Sequence, residues 1–187
     1  QMCIRDRKNT VVLIVDVQNA LMEAHPFREE ELTDNLKAII HNARQRGLEV
    51  VYVRHDGGEG DELALGTRGW QIFDATAPQE GERIFEKCFN SAFKDTGLGE
   101  YLKEKKITEI ILGGLQTEYC IDATCKSAFE RGFHVWIPAH TTSTFDNDYF
   151  TAEQLTEYFE KKMWDGRYAD IRPVEEIIEK MKNFPIS

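Results

Sequence analysis

Three short stretches of this sequence carry groups able to do chemistry. In GGLQTEYC, residues 113 to 120, a glycine pair follows an apolar run and a cysteine stands where a helix should begin. Unpaired N–H groups and the positive dipole end of a helix favour a thiolate at Cys120 and suit a developing oxyanion. The same cysteine also reads as a small apolar residue packed under a turn. In LIVDVQN, residues 13 to 19, Asp16 closes an apolar strand. A carboxylate there is costly without a partner or a task, although amides of the next turn would also satisfy it. Lys87, in FEKCFNSAF, has apolar neighbours; it either points into the same region or lies solvated on the surface.

Other candidates are weaker. His55, Asp56, Glu59 and Asp61 share a glycine-rich loop and offer metal-ligating atoms, but their spacing matches no firm motif and a solvated loop is the alternative. His25, His41, His134 and His140 form no recognisable set. No Cys–His pair is apparent, so a nucleophilic Cys120 needs another base, and Asp16 and Lys87 are the groups available. An Asp after the first strand also fits a haloacid-dehalogenase-type phosphatase, but that chemistry needs a second Asp two residues on, where this chain has Gln18. Cys125 falls on another helix face, Cys88 points away from Lys87, and both read as packing residues.

The elements that must position these groups alternate. The run TVVLIV reads as a central parallel strand covered on both faces, and Leu32, Leu36, Ile39, Ile40 and Ala43 recur at helical spacing before Gly47. LEVVYVRH is a second strand. Residues 54 to 81 form a long glycine-rich loop, of the kind that more often carries function than not. RIFEK, ITEIILGG, FHVWIPA and RYADIRP follow as strands, with helices over LGEYLKEKK, YCIDATCKSAFERG, TAEQLTEYFEKKM (capped by Thr151) and VEEIIEKMKN. The expected fold is α/β: a three-layer sandwich around a mostly parallel, Rossmann-like, six-stranded sheet. Ligands in such sheets bind at the carboxyl ends of the strands. The loops after Asp16, His55, Lys87, Gly113 and Ala139 should therefore share one rim.

The chain of 187 residues suits one domain, over residues 9 to 182. Residues 1 to 8, with Cys3, fit neither a signal peptide nor the first strand and read as a leader or an assembly scar. With 23 Lys plus Arg against 33 Asp plus Glu the net charge is −10 and no basic run occurs, which argues against nucleic acid and anionic membranes as partners. No apolar run approaches a membrane span. Four cysteines without C-x-x-C spacing suggest reduced thiols and a cytoplasmic location.

Asp16 in VVLIVDVQN, Lys87 in EKCFNSAF and Cys120 in GLQTEYCIDAT, in that order on an alternating α/β chain, resemble the isochorismatase-like cysteine hydrolases over about residues 9 to 182. The resemblance implies a catalytic triad of Asp16, Lys87 and Cys120, and a non-proline cis peptide between Leu115 and Gln116 that shapes an oxyanion site. It also implies that neither metal nor organic cofactor is needed, and that the chain forms a homo-oligomer, a dimer or tetramer. Within the family, the RHDGGEGDEL, GTRGW and QTEYCIDATC runs look like the streptothricin-hydrolase-like branch. The metal-holding Asp-x-His and second His of nicotinamidases are not evident. In PAHTTSTFD, His140 and Thr142 stand where that branch commonly has an acidic residue and a His.

The expected activity is hydrolysis of a small amide or related C–N bond through a thioester. Asn19, His55, Trp70, Tyr119 and Phe145 are the expected substrate walls, since they sit on rim loops and include aromatic surface; core or subunit packing is the alternative for the aromatics. Two other classes stay open: a metal-assisted hydrolase using the 55–61 loop, and a non-catalytic small-molecule-binding protein of the same fold.

Overall fold

The first strand, β1 (Thr10–Val15), is buried along its whole length because the sheet is covered on both sides. Val12 and Ile14 face one core, which α2 (Glu29–Gln45) and α6 (Val174–Lys182) close with Leu32, Leu36, Ile39, Ile177 and Met181. Val11, Leu13 and Val15 face a second core, closed by α3 (Leu98–Glu104) and α4 (Asp122–Glu130) with Leu98, Leu102, Cys125 and Ala128. A strand buried on both faces has no reason to alternate apolar with polar residues, which accounts for TVVLIV. These features come from a computed structural model that describes residues 9–183. The proposed leader at residues 1 to 8, with Cys3, lies outside the described residues.

The remaining strands are β2 (Glu49–His55), β3 (Ile84–Lys87), β4 (Glu109–Leu115), β5 (His134–Pro138), β6 (Thr142–Ser143) and β7 (Asp170–Arg172). They run in the order β3-β2-β1-β4-β5-β7, with β6 pairing on β4. All these pairings are parallel. The sandwich is the expected one, but its sheet has seven strands rather than six. The addition, β6, lies in the PAHTTSTFD segment and is two residues long, too short to leave a pattern in sequence. The chain leaves β1 toward β2 and β3 and returns to β4 on its other side, so strand order reverses between β1 and β4. That reversal opens a crevice at the carboxyl ends.

Two elements of the rim differ from the sequence pattern. A five-residue helix, α1 (Asn19–Glu23), follows β1 directly. The long loop runs back along it: Asn19 N–H donates to Gln71 O, Ala20 N–H to Gly69 O and Phe73 N–H to Val17 O, and Gln18 bridges Ile72. The loop is thereby a backbone-bonded cover over the exit of β1. The helix α5 (Ala152–Tyr158) is capped by Thr151 as expected, with Gln154 completing a reciprocal capping box. No helix among the described residues is long and apolar enough to cross a membrane.

At the crevice the backbone leaves little room. Gly114 adopts φ 132, and a Cβ there would lie 1.9 Å from Val15 O, the carbonyl just before Asp16. Gly132, at the end of α4, also has positive φ (90), yet a Cβ there meets nothing within 4 Å. Gly132→Ala should therefore cost only the left-handed strain of about 1 kcal/mol. Gly114→Ala should cost roughly 3 kcal/mol or more, because backbone has to move. Denaturant unfolding of the two variants checks this, and equal losses would contradict the close-approach role of Gly114.

Candidate active site

Each polar group of the crevice is delivered by the end of a different strand. Asp16 follows β1 with φ 56, a left-handed conformation that Asp tolerates better than most residues. His55 ends β2, Lys87 ends β3, and the two are paired in parallel register, so their side chains leave the same face. Cys120 sits after β4, in a wide helical turn (Thr117–Ile121) that runs into α4. The peptide between Leu115 and Gln116, which opens this turn, is cis.

These four side chains converge on one nitrogen. Lys87 Nζ lies 2.7 Å from Asp16 Oδ2, 3.0 Å from His55 Nδ1 and 3.1 Å from Cys120 Sγ. An ammonium has three N–H donors and no acceptor, so all three are used. Asp16 and Lys87 are each 1% exposed. The other carboxylate oxygen, Asp16 Oδ1, is buried without a hydrogen-bond partner. Asp16, His55 and Cys120 also form the one group of three potential metal ligands found among the described residues, with donor atoms within 4.8 Å of one another. The Lys87 ammonium, however, already stands against all three.

Burial dominates the electrostatics. It pushes the Asp16 carboxyl above the usual carboxylate range, with the Lys87 charge and hydrogen bond opposing. The Cys120 thiol is pushed up to about 12, first by burial and then by the Asp16 charge, against the pull of Lys87. Burial and Lys87 lower His55, opposed by Asp16, Asp61 and Asp56. The thiol is thus held toward its neutral form beside the Asp16–Lys87 ion pair. Lys87 alone does not hold Cys120 as a thiolate, contrary to what a helix N-terminus with a nearby lysine suggests.

The other expected site residues divide. Asn19 donates its amide to Arg68 O, 3.1 Å away, and braces the long loop. Trp70 stacks on Arg54, whose guanidinium carbon is 3.4 Å from the ring centroid, and donates to Glu86 Oε2. Arg54 and Glu86 leave the sheet opposite to His55 and Lys87, so the Trp70 ring covers the other side of the β2–β3 pair instead of walling the crevice. Tyr119 is exposed beside Cys120, and Phe145 packs against the core that holds Val12 and Ile14. The loop carboxylates do not gather around His55 as ligands. Asp56 Oδ1 accepts from Gly58 and Leu65 N–H, and Asp61 Oδ1 from Leu63 N–H. Cys125 is buried, as expected of a packing residue, whereas Cys88, also read as a packing residue, is exposed.

His55 itself differs from expectation: its Nδ1 meets the central lysine. The contact depends on β2–β3 register, which the sequence does not reveal. Gln18 was likewise overlooked as a positioning group. It is fully buried, accepts from His55 N–H (2.9 Å), and donates to His55 O (2.9 Å) and Trp70 O (2.8 Å). A glutamine directly after a buried strand end is the only sequence signal for it. A surface cavity lies elsewhere, along α5 between Phe150, Leu155 and Tyr158, and holds none of these groups.

Comparison with known proteins adds the following. The isochorismatase domain matches residues 10–164. A streptothricin hydrolase of Streptomyces noursei is 34% identical over 138 residues, 72% of this chain and 50% of that protein. The chain thus spans about half the length of that relative. N-carbamoylsarcosine amidase of an Arthrobacter species is 30% identical over 152 residues, 70% of this chain and 58% of the amidase. A solved structure described as an isochorismatase family protein superposes with a TM-score of 0.82 at 29% identity, covering 89% of this chain and 99% of that one.

The opposed effects of Asp16 and Lys87 on the thiol give a signed expectation. Asp16→Asn removes the charge that raises Cys120 and frees Lys87 to pair with the thiolate, so the thiolate fraction at neutral pH should rise. Alkylation of Cys120 by iodoacetamide at pH 7.5, mapped by mass spectrometry with exposed Cys88 as internal reference, should be faster in Asp16→Asn than in the parent. Slower alkylation would mean that losing Asp16 as the thiol's proton acceptor outweighs losing its charge.

Proposed function

The chain belongs to the isochorismatase family, and from that premise we propose that it hydrolyses an amide or related C–N bond of a small molecule through a thioester on Cys120. The observation that carries the proposal is the contact of Lys87 Nζ with both Asp16 Oδ2 (2.7 Å) and Cys120 Sγ (3.1 Å) in a crevice where Asp16 and Lys87 are buried and Cys120 is partly open to solvent. The hydrolase named among its relatives and the N-carbamoylsarcosine amidase support the same reaction class.

The steps follow from the protonation states. Asp16, through the oxygen that has no other partner, accepts the Cys120 proton, and the sulfur attacks the substrate carbonyl carbon. The negative charge passes from one side of the Lys87 ammonium to the other, so the buried cation stays paired throughout. The N–H groups of Gln116 and Cys120 receive the oxyanion, a contribution of roughly 3 to 4 kcal/mol per donor in comparable sites. The tetrahedral adduct collapses when Asp16 returns its proton to the departing nitrogen, leaving a thioester and a free amine or ammonia. Asp16 then takes a proton from water, whose oxygen attacks the thioester. The acid departs, and the proton returns to the sulfur.

Two measurements test this. Screening amides, lactams and carbamoyl compounds for ammonia or amine release should find a substrate. Cys120→Ala should abolish its turnover by at least about 10³-fold. Dialysis against a chelator should leave turnover unchanged, and mass spectrometry of a quenched reaction should show the acyl group on Cys120. Activity that survives Cys120→Ala but fails with chelator would favour metal-assisted hydrolysis instead. The second measurement is the pH profile. Asp16 must be ionised to act, and burial raises its pKa, so kcat/KM should fall as pH drops through a value above the ordinary carboxylate range. Cys120 loses its proton only near pH 12, so it should impose no alkaline limb below about pH 10.

A further inference from the structure

We infer that His55 is a positioning residue for the triad: its ring is the third acceptor that fixes the Lys87 ammonium against Asp16 and Cys120. The catalytic consequence rests on the amide-hydrolase reading, while the structural claim does not. Three observations carry it. Lys87 Nζ is 3.0 Å from His55 Nδ1, a distance comparable to those for its other two partners. Lys87 has only N–H donors to offer, so Nδ1 must carry the lone pair and the ring proton must reside on Nε2. The backbone of His55 is held in turn, with its N–H and its carbonyl both bonded to the amide of buried Gln18.

The cage also explains why a lysine, which has four flexible methylenes, is so well placed. With two acceptors, one N–H of a buried ammonium would lack a partner, and the side chain would gain by turning toward water. With three, the orientation that aims one N–H at Cys120 Sγ is the one that satisfies all donors. His55 therefore acts on the thiol through Lys87 and needs no contact with substrate.

Two experiments test this. Long-range ¹H–¹⁵N spectra of histidine-labelled protein at neutral pH should show His55 as the Nε2–H tautomer, and Lys87→Met should shift it toward a mixture of tautomers. A dominant Nδ1–H tautomer, or a spectrum unchanged by Lys87→Met, would overturn the inference whatever the enzyme's activity. In the second experiment, kinetics on an amide found by the screen separate acceptor from wall. His55→Ala should lower kcat roughly 10- to 100-fold with KM changed less than about threefold. His55→Asn, whose side-chain oxygen can sit near the Nδ1 position, should recover most of that loss. A rise in KM alone in both variants would return His55 to the role of a wall. If no amide is turned over while the Nε2–H tautomer and its response to Lys87→Met are observed, the proposed activity fails and the cage stands.

Discussion

The structure depends on how a buried ammonium is kept neutralised. Lys87 is fully enclosed at the sheet edge of the crevice, where an unpaired charge would be strongly unfavourable. Its stability there requires that the ends of β1 and β2 and the turn after β4 each deliver an acceptor to the point where β3 places the ammonium. Removing one partner of such a buried group typically costs about 3 to 5 kcal/mol, so the requirement constrains backbone as much as side chains. That expense is hard to justify as a contribution to stability, since apolar packing would serve as well. It is consistent with a site that needs a fixed positive charge beside a sulfur.

Backbone features around the crevice follow from that requirement. The left-handed turn at Asp16 redirects its carboxylate from the strand direction toward Lys87. Gly114 lets β4 pass against the carbonyl of Val15, which holds the Cys120 turn close to Asp16. β6 adds Thr142 and Ser143 beside Gly114 and Leu115, and Thr117 bonds Thr142 through their hydroxyls at 3.1 Å. Trp164 and Lys126 both hold Asp122, in the first turn of α4. The cysteine turn is thus braced from the strand side and from the helix side before any substrate arrives.

How much of this was legible in the sequence depended on the length of the pattern involved. β1 and α2 have long unambiguous patterns, and Asp16 stands at the end of the first, so its rim position could be read directly. Cys120 was legible as the residue after a glycine-bearing strand exit. Lys87 was not, because β3 has four residues and alternation over four residues does not decide which side a lysine takes; only the family resemblance selected it. His55 was on the rim as expected, but its partner is set by strand register. Trp70 was misplaced for a related reason: its loop folds back across the sheet edge, and nothing in a glycine-rich segment says which side the ring will take. Gln18 was dismissed as the absence of an Asp, when its amide is what fixes the end of β2.

The raised thiol changes how the site should be understood. In a site built on a standing thiolate, the sulfur is always reactive and selectivity rests on access. Here burial and the neighbouring carboxylate raise the Cys120 thiol, and in the proposed reaction its nucleophilicity appears only when the proton moves to Asp16. Lys87 contacts both Cys120 and Asp16, so such a transfer would shift charge by a few ångströms around a fixed cation rather than create it in a low-dielectric crevice. Substrate binding would strengthen the effect by excluding water from the side where Cys120 is partly exposed and Tyr119 is exposed. In the proposed reaction activation and binding would be coupled through the same small volume, and the precision that matters would be the placement of Lys87 between two anions of which only one exists at a time.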